Sequence, residues 1–130
     1  MNTPNIFSKT SLFLLLFLVG TLGVLAQDNS KVKEMKIGFI TDKLSLTEAE
    51  AKKFWPIYDE YQAEKEEIRN EYGNKTDSEA EINKKEAEIT LLKKYNTKFK
   101  EVLPSEKASK VFEVETQFKK VLIEHLKGQR

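Results

Sequence analysis

The sequence predicts an all-α protein: four helices forming two consecutive helical hairpins, preceded by a signal peptide. Three observations predict it. Beyond residue 26, proline and glycine are sparse. The apolar residues there recur at helical steps of three, four and seven, with no useful period-two alternation. And part of the first half returns in the second at a constant offset of 57. The 130 residues suffice for one domain. We divide them into residues 1–26 as signal peptide, 27–30 as a short polar leader and 31–130 as the helical domain.

The signal reading rests on Lys9, the apolar run from Leu12 to Val19, and the small-residue site Val24-Leu25-Ala26 after Gly20-Thr21-Leu22-Gly23. A spanning helix needs about 20 apolar residues, and this run is shorter and carries two glycines. Retention as a membrane anchor is the alternative. No cysteine is present for lipid attachment, so the chain reads as periplasmic and not as a lipoprotein. Losing Lys9 from the 22 basic residues balances them against the 21 acidic ones. A neutral exported part argues against a nucleic-acid partner, which requires a net basic face.

The first helix spans about Lys31 to Leu44, with Val32, Met35, Phe39, Ile40 and Leu44 as its apolar positions. The second opens on Thr47, with Glu50 placed for a capping box. It carries Ala51, Phe54, Tyr58, Tyr61, Ile68 and Tyr72, and stops at Gly73-Asn74. Pro56 lies inside it and must delete one backbone hydrogen bond. The third opens on a second capping box, Ser78 with Glu81, and carries Ile82, Ile89, Leu92, Phe99, Val102 and Leu103 at near-heptad spacing. Pro104-Ser105 ends it. The fourth carries Ala108, Val111, Phe112, Phe118, Leu122 and Leu126 up to Gly128.

The repeat aligns the ten residues from Leu46 with the ten from Leu103, and extends from Ile57 to Val114 and from Tyr61 to Phe118. Duplication of a helical hairpin explains it; chance likeness between two amphipathic helix starts also would.

Phe54-Trp55-Pro56-Ile57-Tyr58 puts five apolar or aromatic residues in a row, covering the whole circumference of a helix at 100° per residue. An ordinary surface helix needs one stripe. The surplus points to a second contact surface, either a homodimer interface or a patch that holds another polypeptide; a Trp55 packed inside the bundle is the competing explanation. Glu48 to Tyr72 holds eight acids against four bases, and Lys84 to Lys120 ten bases against six acids. An acidic helix pairing with basic ones follows.

Chemistry has little to work with. There is no cysteine, His125 is the only histidine, and Ser78 and Ser105 sit at helix starts where capping explains them. Glu60, Glu64, Glu67 and Glu71 share one helix face, yet lack the loop geometry of a calcium site. We therefore expect no enzyme, no metal, no cofactor and no small-molecule substrate.

The starts Leu46-Thr47-x-x-Glu50 and Leu103-Pro104-x-x-Lys107 resemble the paired Leu-Thr-x-x-Gln motifs of the Spy/CpxP-like periplasmic proteins. Together with Phe54-Trp55-Pro56-Ile57-Tyr58, Tyr61, Phe99 to Pro104 and Phe118-Lys119, the chain is similar to small exported Bacteroidota proteins described as sensors of ECF-type sigma factors. Glu50 and Lys107 replace the motif's glutamines, and Pro104 its second threonine. The resemblance implies an antiparallel, cradle-like homodimer that detects or holds unfolded envelope proteins. It also implies a membrane-bound, anti-sigma-type regulator as relay, because an exported protein cannot reach a cytoplasmic sigma factor.

The expected function is thus an envelope-stress protein that binds polypeptide through an aromatic helical surface. The candidate contacts are Phe54, Trp55, Ile57, Tyr58, Tyr61, Phe112 and Phe118; the alternative is an accessory protein dedicated to one membrane partner.

Overall fold

The computed structural model describes residues 29–129. The signal assigned to residues 1–26 and the first half of the polar leader lie outside them. The described residues form five helices and no strand: α1 (residues 29–43), α2 (Glu48–Tyr72), α3 (Ser78–Val102), α4 (Ser105–Ala108) and α5 (Val111–Gly128). Asn29 and Ser30, expected in the leader, are already helical. The chain divides into two compact units, Met1–Phe39 and Ile40–Arg130, with the boundary inside α1. In the first, Met35 and Ile37 are exposed and Val32 and Phe39 half-buried.

In the second unit, α2 begins as its sequence dictates. Thr47 takes an extended backbone and its hydroxyl accepts from the Glu50 amide at 3.2 Å, while Glu50 Oε2 accepts from the Thr47 amide at 3.0 Å. Two of the four amides left open at a helix start are thereby satisfied. The helix runs unbroken through Pro56, whose ring is exposed. At its end the Gly73 amide donates to the Arg69 carbonyl at 2.7 Å. A Cβ on Gly73 would lie 2.5 Å from that carbonyl oxygen, which is why glycine ends this helix. The expected cap of α3 moves by one residue. Asp77, not Ser78, holds the extended backbone and accepts from the Ala80 amide at 2.8 Å.

α2 and α3 lie antiparallel, because advancing along one retreats along the other. Glu60 pairs with Lys98 at 3.0 Å and Glu64 with Lys94 at 2.6 Å. The acidic helix thus faces the lysine-rich second half of α3. Between them Phe54 and Phe99 approach to 5.2 Å, and Tyr61 and Tyr95 to 5.3 Å, between ring centroids. Phe54, Tyr58 and Tyr61 follow a four–three step, and Leu91, Tyr95 and Phe99 a four–four step, so each set forms one inward stripe. Ile82, Ile89 and Leu92, expected among the apolar positions of the third helix, are exposed, the two isoleucines on its outer side and Leu92 on the flank toward α5.

The expected fourth helix is two. α4 has a single turn, and α5 restarts at Val111 after Ser109-Lys110. Ser109 Oγ donates to the Glu106 carbonyl at 2.9 Å, the local competition by which serine interrupts helices. α5 then buries Val111, Val114 and Phe118, and Phe112 closes the core against Phe99 at 5.9 Å and Tyr61 at 5.5 Å.

Candidate functional site

The two helix starts of the repeat come together. Lys107 Nζ reaches Glu50 Oε2 at 2.8 Å and the Ser45 carbonyl at 2.6 Å. Ser45 adopts a positive φ of 50°, which turns the chain between α1 and α2 and presents that carbonyl. The equivalent positions of the two copies are therefore partners, an acid in one and a base in the other. The Lys107 ammonium, followed by the Thr47 amide, holds the Glu50 carboxyl below its ordinary value. Leu103 is buried beneath this junction and Leu46 half-buried, while Pro104 opens α4 with no side-chain cap.

The aromatic candidates separate. Phe54, Tyr58, Tyr61 and Phe118 are buried in the core and present no surface to a partner. Trp55, Ile57 and Phe112 are half-buried. The run from Phe54 to Tyr58 is accommodated without a second molecule. Pro56 faces outward, and the Trp55 ring lies edge-on to Phe54 at 4.9 Å and Tyr58 at 5.3 Å. The Tyr58 hydroxyl is buried without a hydrogen-bond partner, and burial raises its pKa strongly.

One buried charge lies beside this core. Glu115, 4% exposed, accepts from the Tyr61 hydroxyl at 3.0 Å, Gln62 Nε2 at 2.9 Å and Lys65 Nζ at 2.8 Å. Burial pushes its carboxyl up, but the bonds from Lys65 and Gln62 and the Lys65 charge together hold it below the ordinary value. The Tyr61 hydroxyl is pushed up to about 12 by burial and by the Glu115 charge. Tyr61, Lys65 and Glu115 line a cleft of about 330 Å³ whose apolar wall is Leu91, Leu92 and Phe112. Glu115 carries a sequence signal only in retrospect: it shares the inward face of α5 with Val111 and Phe118, four residues before and three after it.

Aliphatic residues are also exposed on two of the helices. Val121, Ile123 and Leu126 stand out from the last turns of α5, and Ile82, Ile89 and Leu92 from α3. Glu60 and Glu64 of the carboxylate row are taken by Lys98 and Lys94, and no three metal-ligating side chains converge among the described residues. His125 is exposed and contacts Gln129. No helix of the described residues is long and apolar enough to cross a membrane.

These features define a charged, all-helical protein with a closed aromatic core and aliphatic side chains left on its outer faces. No protein family, curated protein or solved structure matches the chain.

Proposed function

We propose that the protein is a periplasmic envelope-stress protein that binds polypeptide, built on two helical hairpin repeats of the Spy/CpxP-like type. It acts as a chaperone or as the sensor that reports unfolded clients to a membrane-bound regulator of an ECF-type sigma factor. The observation that carries this reading is the exposure of Ile123 and Leu126, three residues apart on one side of a helix that also bears Lys119, Lys120 and Lys127. Aliphatic side chains on a charged, ordered helix can grip an unfolded segment while the surrounding charges keep the pair soluble. Trp55, Ile57 and Phe112 remain contacts of second rank, each half-buried.

The purified protein should suppress aggregation of several unfolded clients at equimolar dose, and Ile123→Ser with Leu126→Ser should abolish the effect without loss of helix content. Absence of suppression for every client would leave the alternative, an accessory dedicated to one membrane partner. Suppression that survives the double substitution would move the contact surface away from α5.

A further inference from the structure

Glu115 is a charge that the core does not need. Apolar residues of similar volume commonly replace a buried ion pair without loss of stability, and Val111, Val114 and Phe118 already fill the inward face of α5 that way. What Glu115 does is hold a cation. Its Oε1 accepts from Lys65 Nζ at 2.8 Å, and the same ammonium donates to the Tyr61 hydroxyl at 3.4 Å. An ammonium carries three protons, and these two acceptors take two of them. The Lys65 side chain is 34% exposed and lines the cleft.

Lys119 brings a second ammonium to the same cleft, 3.9 Å from Glu115 Oε1. Two cations thus meet one carboxylate. The cleft's other acid, Glu88, faces Lys84 at 4.0 Å, so the lining keeps a surplus of positive charge. The apolar wall stands ready but incompletely covered: Leu91 is buried, Phe112 half-buried and Leu92 left 39% exposed. Helical spacing gathers these groups. Phe112, Glu115 and Lys119 follow each other at three and four residues on α5, and Glu88, Leu91 and Leu92 lie within one turn of α3. No short stretch of sequence announces the site, because its lining comes from three helices. At about 330 Å³ it is at the small end of ligand sites, which run from roughly 300 to 1,000 Å³.

We infer that this cleft binds a single-chain amphiphile, an apolar body bearing one carboxylate. The carboxylate sits on Lys65 and Lys119, and the body on Leu91, Leu92 and Phe112. Glu115 is a positioning residue: it fixes the Lys65 ammonium and compensates one of the two cations, leaving one for the ligand. The small volume admits one chain and not a two-tailed lipid. Two sources present this chemistry, a free fatty acid and the last residue of a polypeptide that ends in an apolar side chain. The site is distinct from the side chains of Ile123 and Leu126 proposed to grip unfolded segments.

Isothermal titration of the purified protein with decanoate, below micelle formation, tests the inference. Decanoate should bind one to one. Decyltrimethylammonium, with the same chain and the opposite charge, should bind at least about tenfold more weakly. Lys119→Glu should weaken decanoate about tenfold, since it turns an attractive contact into a repulsive one at a partly exposed position. Thr116→Trp should block the cleft by filling it. Thr116 lines the cleft from an exposed position, so helix content by circular dichroism should not change. An acetylated tripeptide ending in leucine, with its carboxylate free or amidated, separates the sources. Tighter binding of the free form than of decanoate supports a polypeptide end, and the reverse order supports a fatty acid. Equal affinity for the two charged heads overturns the proposal. So does binding unmoved by Lys119→Glu or Thr116→Trp, or no binding of either carboxylate ligand.

Discussion

The two helix starts of the repeat do the same job in different ways. At the first, Thr47 and Glu50 close a capping box and α2 runs for 25 residues. At the second, Pro104 stands where Thr47 does, no side chain caps the turn, and the helix halts after Ala108. Only at Val111 does it resume. The break itself lies a turn beyond the uncapped start, at Ser109, whose hydroxyl donates to the Glu106 carbonyl. The broken start has a compensating use. It frees Lys107 to reach back to Glu50 and the Ser45 carbonyl, so the weak start is anchored on the strong one.

The largest way to break this comparison is at the core both halves share. Phe99 is fully buried and touches Phe54 from the first half and Phe112 from the second. Phe99→Ala should cost about 3–5 kcal/mol in urea unfolding. If the two repeats are energetically one body, the loss appears as a lower midpoint of a single transition. Two transitions would mean that the capped and the broken start belong to separately folding halves.

Much of this was legible in the residues, where partners are close in sequence. Thr47 and Glu50 are three positions apart, and Gly73 punctuates the end of α2, so both could be read directly. The stripe of Phe54, Tyr58 and Tyr61 was visible as a period, but its direction was not: an aromatic run on a helix looks the same facing a core or a partner. α3 misled for the same reason. It has two apolar stripes, Leu91-Tyr95-Phe99 and Ile82-Ile89, and only the ring contacts to α2 and α5 decide which turns inward. Glu115 was hidden because its partners Tyr61, Gln62 and Lys65 are 50 or more residues away, and its sequence neighbourhood resembles any charged helix surface.

That carboxylate gives the second prediction, confined to the contact between α2 and α5. Glu115→Gln keeps the shape but removes the charge facing Lys65, whose side chain is 34% exposed and therefore partly screened. The expected cost near neutral pH is about 1–2 kcal/mol. Acid dependence separates this from simple loss of packing. In the folded protein the Glu115 carboxyl lies below its ordinary 4.5, so the unfolded chain takes up the proton first as pH falls. The stabilisation is complete above 4.5 and is lost as pH drops through the folded value. Unfolding midpoints measured from pH 7 downward should therefore fall less steeply below 4.5 in the variant than in the wild type. Identical slopes would show that Glu115 contributes shape and not charge.

The smallest effect probes the comparison most directly, through alanine at the two equivalent positions. Thr47→Ala deletes the hydroxyl that accepts from the Glu50 amide and should cost about 1 kcal/mol, with a loss of helicity confined to the start of α2. Pro104→Ala removes no capping group, since none is present, and should change stability by less than about 0.5 kcal/mol. Hydrogen exchange at Glu50 and Lys107 reads the two ends separately. Faster exchange at Glu50 alone in the first variant fits a start held by its own cap. If the Lys107 amide also loosens when Thr47 is cut back, the second start depends on the first through the Glu50–Lys107 pair, and the asymmetry between the copies becomes a division of labour: one start is built to be stable, the other to be held by it.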